Sequence, residues 1–381
     1  MDPLHVYIHW PFCKSKCPYC DFNSHVRNRI NEKEWLNAYI KEIDYFSDIL
    51  KHRSIKTIFF GGGTPSLMSA STIEAIINKL NRISTFQDIE ITIEANPTSS
   101  EAQKFKEFKN SGVNRISIGV QSLIEKDLKF LGREHSGLEA IKAIEEASAV
   151  FDNYSFDLIY ARPGQTTKEW EDELHNALKY AKDHISLYQL AIEKGTQFYS
   201  DVKKKKFTIP EQEQALELYN LTNEILKNND LLRYEISNYA LKGKESMHNL
   251  GYWKYREYLG IGAGAHSKVK INGALHHIMM IHNPEKWLDS VTSNSHGIQK
   301  KEKMLTSEIA LEYLLMGLRL EEGINVNDFK NCFSEDLFKY ISLEKVIFFE
   351  KNNFLTYNNN VLNLTDSGKL VLNNIVSAIS L

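Results

Sequence analysis

Over the first half of the chain, short runs of β-branched and aromatic residues alternate with longer stretches whose apolar positions recur every three or four residues. The runs are Val6–Ile8, Thr57–Phe60, Ile91–Ile93, Ile116–Ile118, Phe156–Ile159 and Ile185–Tyr188, each with the length and residue types of a buried strand. Between the first two, Leu36, Tyr39, Ile40, Ile43, Phe46 and Leu50 predict a helix with one buried face. A second helix after Pro65 carries Ile73, Ile76, Ile77 and Leu80. A third, from Thr166 to about Lys182, carries Trp170, Leu174, Leu178 and Tyr180. Six successive β-then-α units imply a parallel sheet, because parallel neighbours need a crossover connection. The predicted fold class is therefore α/β, a (βα)6 unit as compatible with a partial or open barrel as with a closed one. Chemistry-bearing side chains then belong at the C-terminal ends of the strands.

After about residue 205 the pattern changes. Pro210 to Asn228 reads as one long amphipathic helix, followed by a loop rich in Asn, Gly, Tyr and Trp. Thr306 is a good N-cap type for a helix running to about Leu320. Phe354–Tyr357, the turn-forming Asn358–Asn360 and Val361–Leu364 predict a hairpin, with a last helix from about Asp366. Three units are expected: a partial barrel over 1–205, a helical and loop extension over 206–300, and a small winged-helix-like domain over 301–381.

Composition narrows the function classes. The 381 residues carry a net charge of −3, with 42% hydrophobic and 25% charged residues, the profile of a globular chain with ample core material. Near-neutral charge gives no electrostatic reason to expect nucleic acid or a membrane surface. No run approaches the ~18 apolar residues of a spanning helix. The start MDPLHVYIHWPFC has an acid at Asp2 and no basic-then-apolar ramp, so no secretory signal is expected and the chain reads as cytoplasmic. The Lys203–Lys206 run reads as a solvated edge.

Cysteine changes the picture. Of four cysteines, Cys13, Cys17 and Cys20 fall in CKSKCPYC just after the first strand, and Cys332 stands alone. Three clustered thiols cannot all pair, so a disulfide framework is a poor account of them. Three thiolates on one polar loop can hold three corners of an iron–sulfur cube. His9 or His25 could instead complete a zinc site. With a cube, one iron is left open for the amino and carboxylate groups of S-adenosylmethionine, which brings its sulfonium beside a one-electron donor.

Other polar signals collect at the predicted strand ends. Gly61-Gly62-Gly63-Thr64-Pro65-Ser66 follows the second strand, where glycines allow backbone to approach a ligand closely. Glu94 ends the third strand, Gln121 the fourth, and Asp157 lies in the fifth, with Arg133 in LGREHS. Each alone could serve a salt bridge or a cap. Together they form the polar rim a ligand above a barrel requires.

The segments YIHWPFCKSKCPYCDFNSH, FFGGGTPSLM, EANPTS, RISIGVQS, DLIYARPGQT, HISLYQLAIEKGT, YEISNYA, HNLGYW and YLGIGAGAHS resemble the radical S-adenosylmethionine superfamily, over nearly the whole chain. Within it they are similar to the branch of oxygen-independent coproporphyrinogen III dehydrogenase and the HemW-type heme chaperones. The resemblance implies a radical-SAM partial barrel with Cys13, Cys17 and Cys20 ligating a [4Fe-4S] cluster. It implies S-adenosylmethionine contacts from Tyr7, Tyr19, Gly62, Gly63, Thr64, Glu94, Gln121, Arg133 and Asp157. Two features separate the branches. The dehydrogenase resembles C-x3-C-x2-C-x-C, but here the last position is Phe22, and only 12 residues precede Cys13. HemW-type proteins carry HNxxYW, present as His248-Asn249-Leu250-Gly251-Tyr252-Trp253. Imidazole is a common axial ligand of heme iron, so that resemblance implies heme held by His248 with Tyr252 and Trp253 flanking it.

The implied function is a heme chaperone that hands heme to an acceptor apo-hemoprotein, with a homodimer among its implied states. The rival is the dehydrogenase itself, which removes hydrogen from two propionate side chains before decarboxylation. A second rival is a zinc-bound structural protein. The chain departs from the family pattern at Ala161-Arg162, usually Gly-Leu, and at Lys194, usually Pro; both are expected at the barrel rim. Cys332 lies outside every motif and reads as a structural thiol.

Overall fold

In the computed structural model, which describes residues 3–51 and 53–381, the six strand-forming runs stand side by side in a single 12-stranded sheet. Asp2, invoked above against a signal peptide, lies outside the described residues. The six are β1 (Leu4–Trp10), β2 (Ser54–Gly62), β3 (Thr85–Ala95), β4 (Arg115–Gln121), β5 (Asn153–Tyr160) and β6 (His184–Gln189). They are parallel and adjacent in that order, as right-handed crossover units require. Helices α1 (Glu32–Tyr45), α2 (Ala70–Ile83), α3 (Gly137–Val150) and α4 (Thr167–Leu178) cover the sheet. The side-chain oxygens of Ser69, Ser136 and Thr166 start α2, α3 and α4 by accepting backbone N–H groups of the first turn. Covered on both faces, β1 is buried at six of its seven positions, which is why its sequence does not alternate cleanly.

The sheet goes on where a loop was expected. Leu232–Glu235 (β7) and Asn238–Ala240 (β8) extend it beyond β6. On the other side Tyr258–Ile261 (β9) pairs parallel with β1 and adds a seventh parallel strand. His266–Ile271 (β10), Ala274–Met280 (β11) and Ile298–Lys303 (β12) continue antiparallel to the far edge. The strands between residues 232 and 303 are thus hydrogen-bonded into the main sheet. The long helix is α5 (Gln212–Asn228), and HNLGYW lies within α6 (Met247–Trp253).

One buried carboxylate ties this extension down. Glu42 of α1 accepts the N–H groups of Gly262 and Gly297 and the indole N–H of Trp287, at 2.7–3.1 Å. Trp287, in α7 (Pro284–Asn294), stacks on Trp35 with ring centroids 5.2 Å apart. Three donors offset part of the cost of burying Glu42, but desolvation still lifts its carboxyl to about 7.

At the C-terminal end, α8 (Thr306–Gly317) is followed by a three-stranded sheet of Ile324–Asn325, Val361–Leu364 and Leu355–Asn358, packed with short helices around Phe329, Leu337 and Ile375. Thr306 is the first residue of α8, and Leu305 is its N-cap. The last helix is broken into Asp366–Lys369 and Leu372–Ile379. Among the described residues no helix is long and apolar enough to cross a membrane.

Candidate functional site

Past the end of β1, Phe12–Cys13 pairs with His25–Val26, so the cysteine loop leaves and returns at one place above the barrel. Inside it the N–H of Cys20 bonds the carbonyl of Cys17 at 3.1 Å, a turn that brings those two thiols to one side. Cys13, Cys17 and Cys20 line a common cavity at the C-terminal ends of the parallel strands. Of the nine strand-end and loop residues predicted to hold S-adenosylmethionine, all but Tyr7 line that same cavity. Tyr7 sits one layer down, its hydroxyl 3.0 Å from His9 Nδ1. His9 Nε2 donates to the Asn23 carbonyl, which leaves Nδ1 as the acceptor for Tyr7.

A chain of hydrogen bonds joins two of the thiols. Arg133 donates to Cys17 Sγ at 3.3 Å, to Asn96 Oδ1 at 2.6 Å and to the Gly119 carbonyl at 2.7 Å. Asn96 donates in turn to Thr64 Oγ1 at 3.2 Å, and Thr64 donates to Cys13 Sγ at 3.4 Å. Donors aimed at sulfur favour its thiolate form. Burial works the other way and raises the thiol of Cys13, against the pull of Thr64. Among the described residues no three His, Cys, Asp or Glu side chains converge closely enough to hold one metal ion.

Glycine is required where backbone crosses this loop. Gly62 has φ +112, and a Cβ there would lie 2.6 Å from the His9 ring; at Gly63 it would lie 2.6 Å from the Phe12 carbonyl. The N–H groups of Gly63 and Thr64 bond the carbonyls of Trp10 and Phe12 at 2.6 and 2.8 Å. The glycine turn is thus strapped to the base of the cysteine loop. Gly132, at φ +66, passes equally close to Pro18 from the opposite side.

The cavity floor carries two buried acids. Burial, reinforced by the charge of Asp157, pushes the Glu94 carboxyl up to about 8 even though the Gly62 N–H donates to it at 3.2 Å. Burial lifts Asp157 to about 6, opposed by hydrogen bonds from Ser186 and Ser117 and by the charges of Arg115 and Arg133. Asp157 Oδ1 has no hydrogen-bond partner. A buried, unsatisfied carboxylate oxygen beside a carboxyl held near neutrality is a receptor for a cationic ligand. Three thiols with this pair fit a [4Fe-4S] cluster carrying S-adenosylmethionine, whose amino and sulfonium groups are positive.

The HNLGYW residues lie at the other end of the barrel. His248 is 2% exposed, and its Nδ1 is 2.6 Å from Thr57 Oγ1, near the start of β2. Three residues of strand separate Thr57 from the start of the glycine turn at Gly61, a rise of about 13 Å. Thr57 also meets His5 Nδ1 at 2.8 Å, so its hydroxyl bridges two imidazoles. Glu90 caps α6 by accepting the N–H groups of Met247 and His248. The imidazole of His248 packs on Phe59 and Tyr252, with centroids 4.8 and 5.0 Å apart. Its Nε2 is buried without a partner, and burial holds the group well below the usual histidine range, hence neutral. Tyr252 packs on Tyr258 and Trp253 lies under Arg319. In this arrangement α6 closes the barrel's lower end. Iron reaches His248 Nε2 only if α6 leaves its seat.

Three residues escaped the sequence reading. Asn96 is the middle of the thiol-to-thiol chain. His135, in the cavity wall, bonds the Val120 carbonyl at 3.0 Å. Asn23 donates to the carbonyls of Ala263 and His282, both at 3.0 Å, and accepts from His25. It pins the cysteine loop to the far extension. Arg162, two residues past the C-terminal end of β5, is at the strand ends as expected but 1% exposed, paired with Glu173 and, at 3.2 Å, with Asp127. Lys194 is exposed. Cys332 borders a separate cavity with Tyr255 and Phe333, and its carbonyl accepts from Lys270.

Comparison with known proteins agrees with this arrangement. Residues 7–177 match the model of the radical SAM superfamily, and residues 306–371 match the HemN C-terminal domain. The chain is 35% identical over 388 residues to heme chaperone HemW of Buchnera aphidicola subsp. Schizaphis graminum, covering 99% of this chain and 98% of that one. It is 39% identical over 272 residues to heme chaperone HemW of Escherichia coli, covering 71% of each. The mitochondrial radical S-adenosyl methionine domain-containing protein 1 of Danio rerio is 36% identical over 84% of this chain and 73% of its own length. Among solved structures, coproporphyrinogen III oxidase of Escherichia coli superposes with a TM-score of 0.83 at 20% identity, over 99% of this chain and 89% of that one. At that identity the likeness speaks for the fold alone.

Proposed function

The chain belongs to the HemW family of the radical SAM superfamily, and on that footing we propose that it is a heme chaperone. It binds heme, holds a [4Fe-4S] cluster and S-adenosylmethionine in the barrel cavity, and passes heme to an acceptor apo-hemoprotein. The observation that carries the reading is full-length similarity to HemW proteins, combined with Phe22 where the dehydrogenase branch has a further cysteine. Cys13, Cys17 and Cys20 are the proposed cluster ligands. When bound, the cluster supplies one-electron chemistry next to the sulfonium.

The protein's own residues do the rest. Arg133 and Thr64 direct hydrogen bonds at the sulfurs of Cys17 and Cys13. Glu94 and Asp157 receive the positive groups of S-adenosylmethionine, with Gln121 and Tyr19 on the walls and Gly62, Gly63 and Thr64 presenting backbone beside it. Gln121, at φ +72, holds a backbone conformation that costs about 1–3 kcal/mol for a non-glycine residue, and strain of that kind is kept where a side chain must be aimed. Tyr7 acts one layer down, orienting His9. His248, Tyr252 and Trp253 are a sealed heme site, opened by displacement of α6. We place the protein in the cytoplasm and include a homodimer among its working states.

The test is anaerobic. Reconstituted protein is titrated with heme and, separately, incubated with coproporphyrinogen III and S-adenosylmethionine. Saturable heme binding without protoporphyrinogen formation is expected. Protoporphyrinogen at enzymatic rates would make the protein the dehydrogenase.

A further inference from the structure

The lumen of the barrel holds a cation that no carboxylate touches. Arg115, the first residue of β4, is 2% exposed. Among the described residues it makes no ion pair. Its side chain bonds only Ser155 Oγ, from Nη2 at 2.8 Å, and its Nε has no partner. A guanidinium taken out of water at this depth is costly unless an anion answers it. The sheet register shows where that anion lies. Arg115 stands beside Thr92 of β3, and two residues up the same face Ser117 stands between Glu94 of β3 and Ser155 of β5. Asp157 comes two residues above Ser155, beside Ser186 of β6. Ser117, Glu94 and Asp157 line the cavity of the cysteine loop, so Arg115 lies one layer beneath its acid floor.

We infer that Arg115 is a positioning residue for S-adenosylmethionine: acting from beneath through Ser155 and Ser117, it makes Asp157 the charged member of the acid pair and Glu94 the neutral one in the ligand-free cavity. The inference rests on the reading of that cavity as the S-adenosylmethionine site.

The direction of the hydrogen bonds selects Asp157. Arg115 donates to Ser155 Oγ, which frees the Ser155 proton to go on to Ser117 Oγ, 3.0 Å away. Ser117 in turn bonds the Asp157 carboxylate, as does Ser186. Every donor in this chain points up the lumen, and the chain ends on an oxygen that only accepts, as those of a carboxylate do. Aligned donors of this kind strengthen one another at low dielectric. Asp157 Oδ1 takes no part in these bonds, so they fall on Oδ2 and Oδ1 is left for the positive ligand. Glu94 receives the Gly62 N–H and stands beside the charge of Asp157, so it keeps its proton until a cation arrives.

Other groups face the pair as well. Asp157 meets Glu94 from β3, Arg115 from β4, Arg133 from the segment after β4 and Tyr188 from β6, while Tyr7 of β1 faces Glu94. Only the two arginines are positive. Arg133 is already committed to Cys17, Asn96 and the Gly119 carbonyl, which leaves Arg115 as the cation with no other anion to answer.

The experiment compares full-length, anaerobically reconstituted wild type with Arg115→Gln, Arg115→Lys, Asp157→Asn and the combination of Arg115→Gln with Asp157→Asn. One readout is infrared titration of the ligand-free Asp157 carboxyl, assigned by its loss in Asp157→Asn. The other is calorimetric affinity for S-adenosylmethionine from pH 6 to pH 8. The wild-type carboxyl should ionise near pH 6. Removing the cation raises that value, so Arg115→Gln should move it up by about one unit and bind S-adenosylmethionine about tenfold more weakly at pH 7. The loss should shrink as pH rises, which a purely structural defect would not produce. Arg115→Lys keeps the charge and should restore most of the affinity. With Asp157 already neutralised, Arg115→Gln should weaken binding no further. An Asp157 titration unmoved by Arg115→Gln, a Lys variant as weak as the Gln variant, or an equal loss in the Asp157→Asn background would overturn the inference. A wild type that binds no S-adenosylmethionine would bring down the reading of the cavity, while the infrared titration still decides the role of Arg115.

Discussion

Arg133 donates to the side-chain oxygen of Asn96 at 2.6 Å, and through that bond the two ends of the cysteine loop answer to each other. Cys17 hangs from one side of the pair, and Cys13 from the other by way of Thr64. Asn96→Ala cuts the chain without touching a thiol. Support of this kind is worth 10–100-fold in metal affinity, so the variant should lose iron about tenfold faster to a chelator. Iron and sulfide should still reach wild-type content on anaerobic reconstitution. Unchanged iron retention would reduce Asn96 to a bystander, and zinc without sulfide in the wild type would overturn the cluster assignment.

Glu94 makes ligand binding depend on pH. Its carboxyl is raised to about 8 by burial first and by Asp157 second. Between its unfolded value and that raised one, the folded chain holds a proton the unfolded chain has lost, so ligand-free stability falls as pH rises through this window. A cationic ligand reverses the preference by favouring ionised Glu94. Affinity for S-adenosylmethionine should therefore rise by about tenfold from pH 6 to pH 8. Glu94→Gln should flatten both profiles. A wild-type affinity independent of pH over that range would contradict the role.

Gly264 sits at φ +78 with Asn23 Nδ2 only 2.1 Å from where a Cβ would stand. Gly264→Ala should cost about 2–3 kcal/mol, from backbone strain and displacement of Asn23 together, read by chemical denaturation. The same variant should loosen the cysteine loop, seen as faster iron loss. Full stability would mean that the loop and the extension are not coupled through Asn23.

Ala161 and Arg162, just past the end of β5, each have their own consequence. Ala161 has φ +55, so Ala161→Gly should stabilise the protein by about 1 kcal/mol. Arg162→Ala leaves Glu173, also buried, without its counter-charge, at a cost of about 3–5 kcal/mol. Arg162→Leu combined with Glu173→Gln should recover most of that loss. Denaturation midpoints of the three variants check this.

The six parallel strands and the polar set at their ends were legible because both follow from local chemistry: apolar runs bounded by turns, and polar residues where an apolar strand stops. The extension was not. HSKVKI and IQKKEK hold too few apolar positions to read as strands, and they become strands only because β9 offers a partner beside β1. Nor does a sequence say at which end of a barrel a motif docks. HNLGYW reads as an aromatic imidazole site, yet Glu90 and Thr57 draw it into the closed end. Arg162 reads as a rim charge because its partner Glu173 lies eleven residues on, visible only once α4 folds back over the strand.

Transfer of heme to an acceptor is the step that defines a heme chaperone. Heme-loaded, cluster-reconstituted protein is mixed anaerobically with an apo-hemoprotein, and the acceptor's own spectrum is followed after separation of the two. The account predicts that holo-acceptor forms in proportion to heme lost by the donor, faster than from free heme at the same concentration. Retention of heme by the donor, or transfer no faster than free heme supplies, would contradict it.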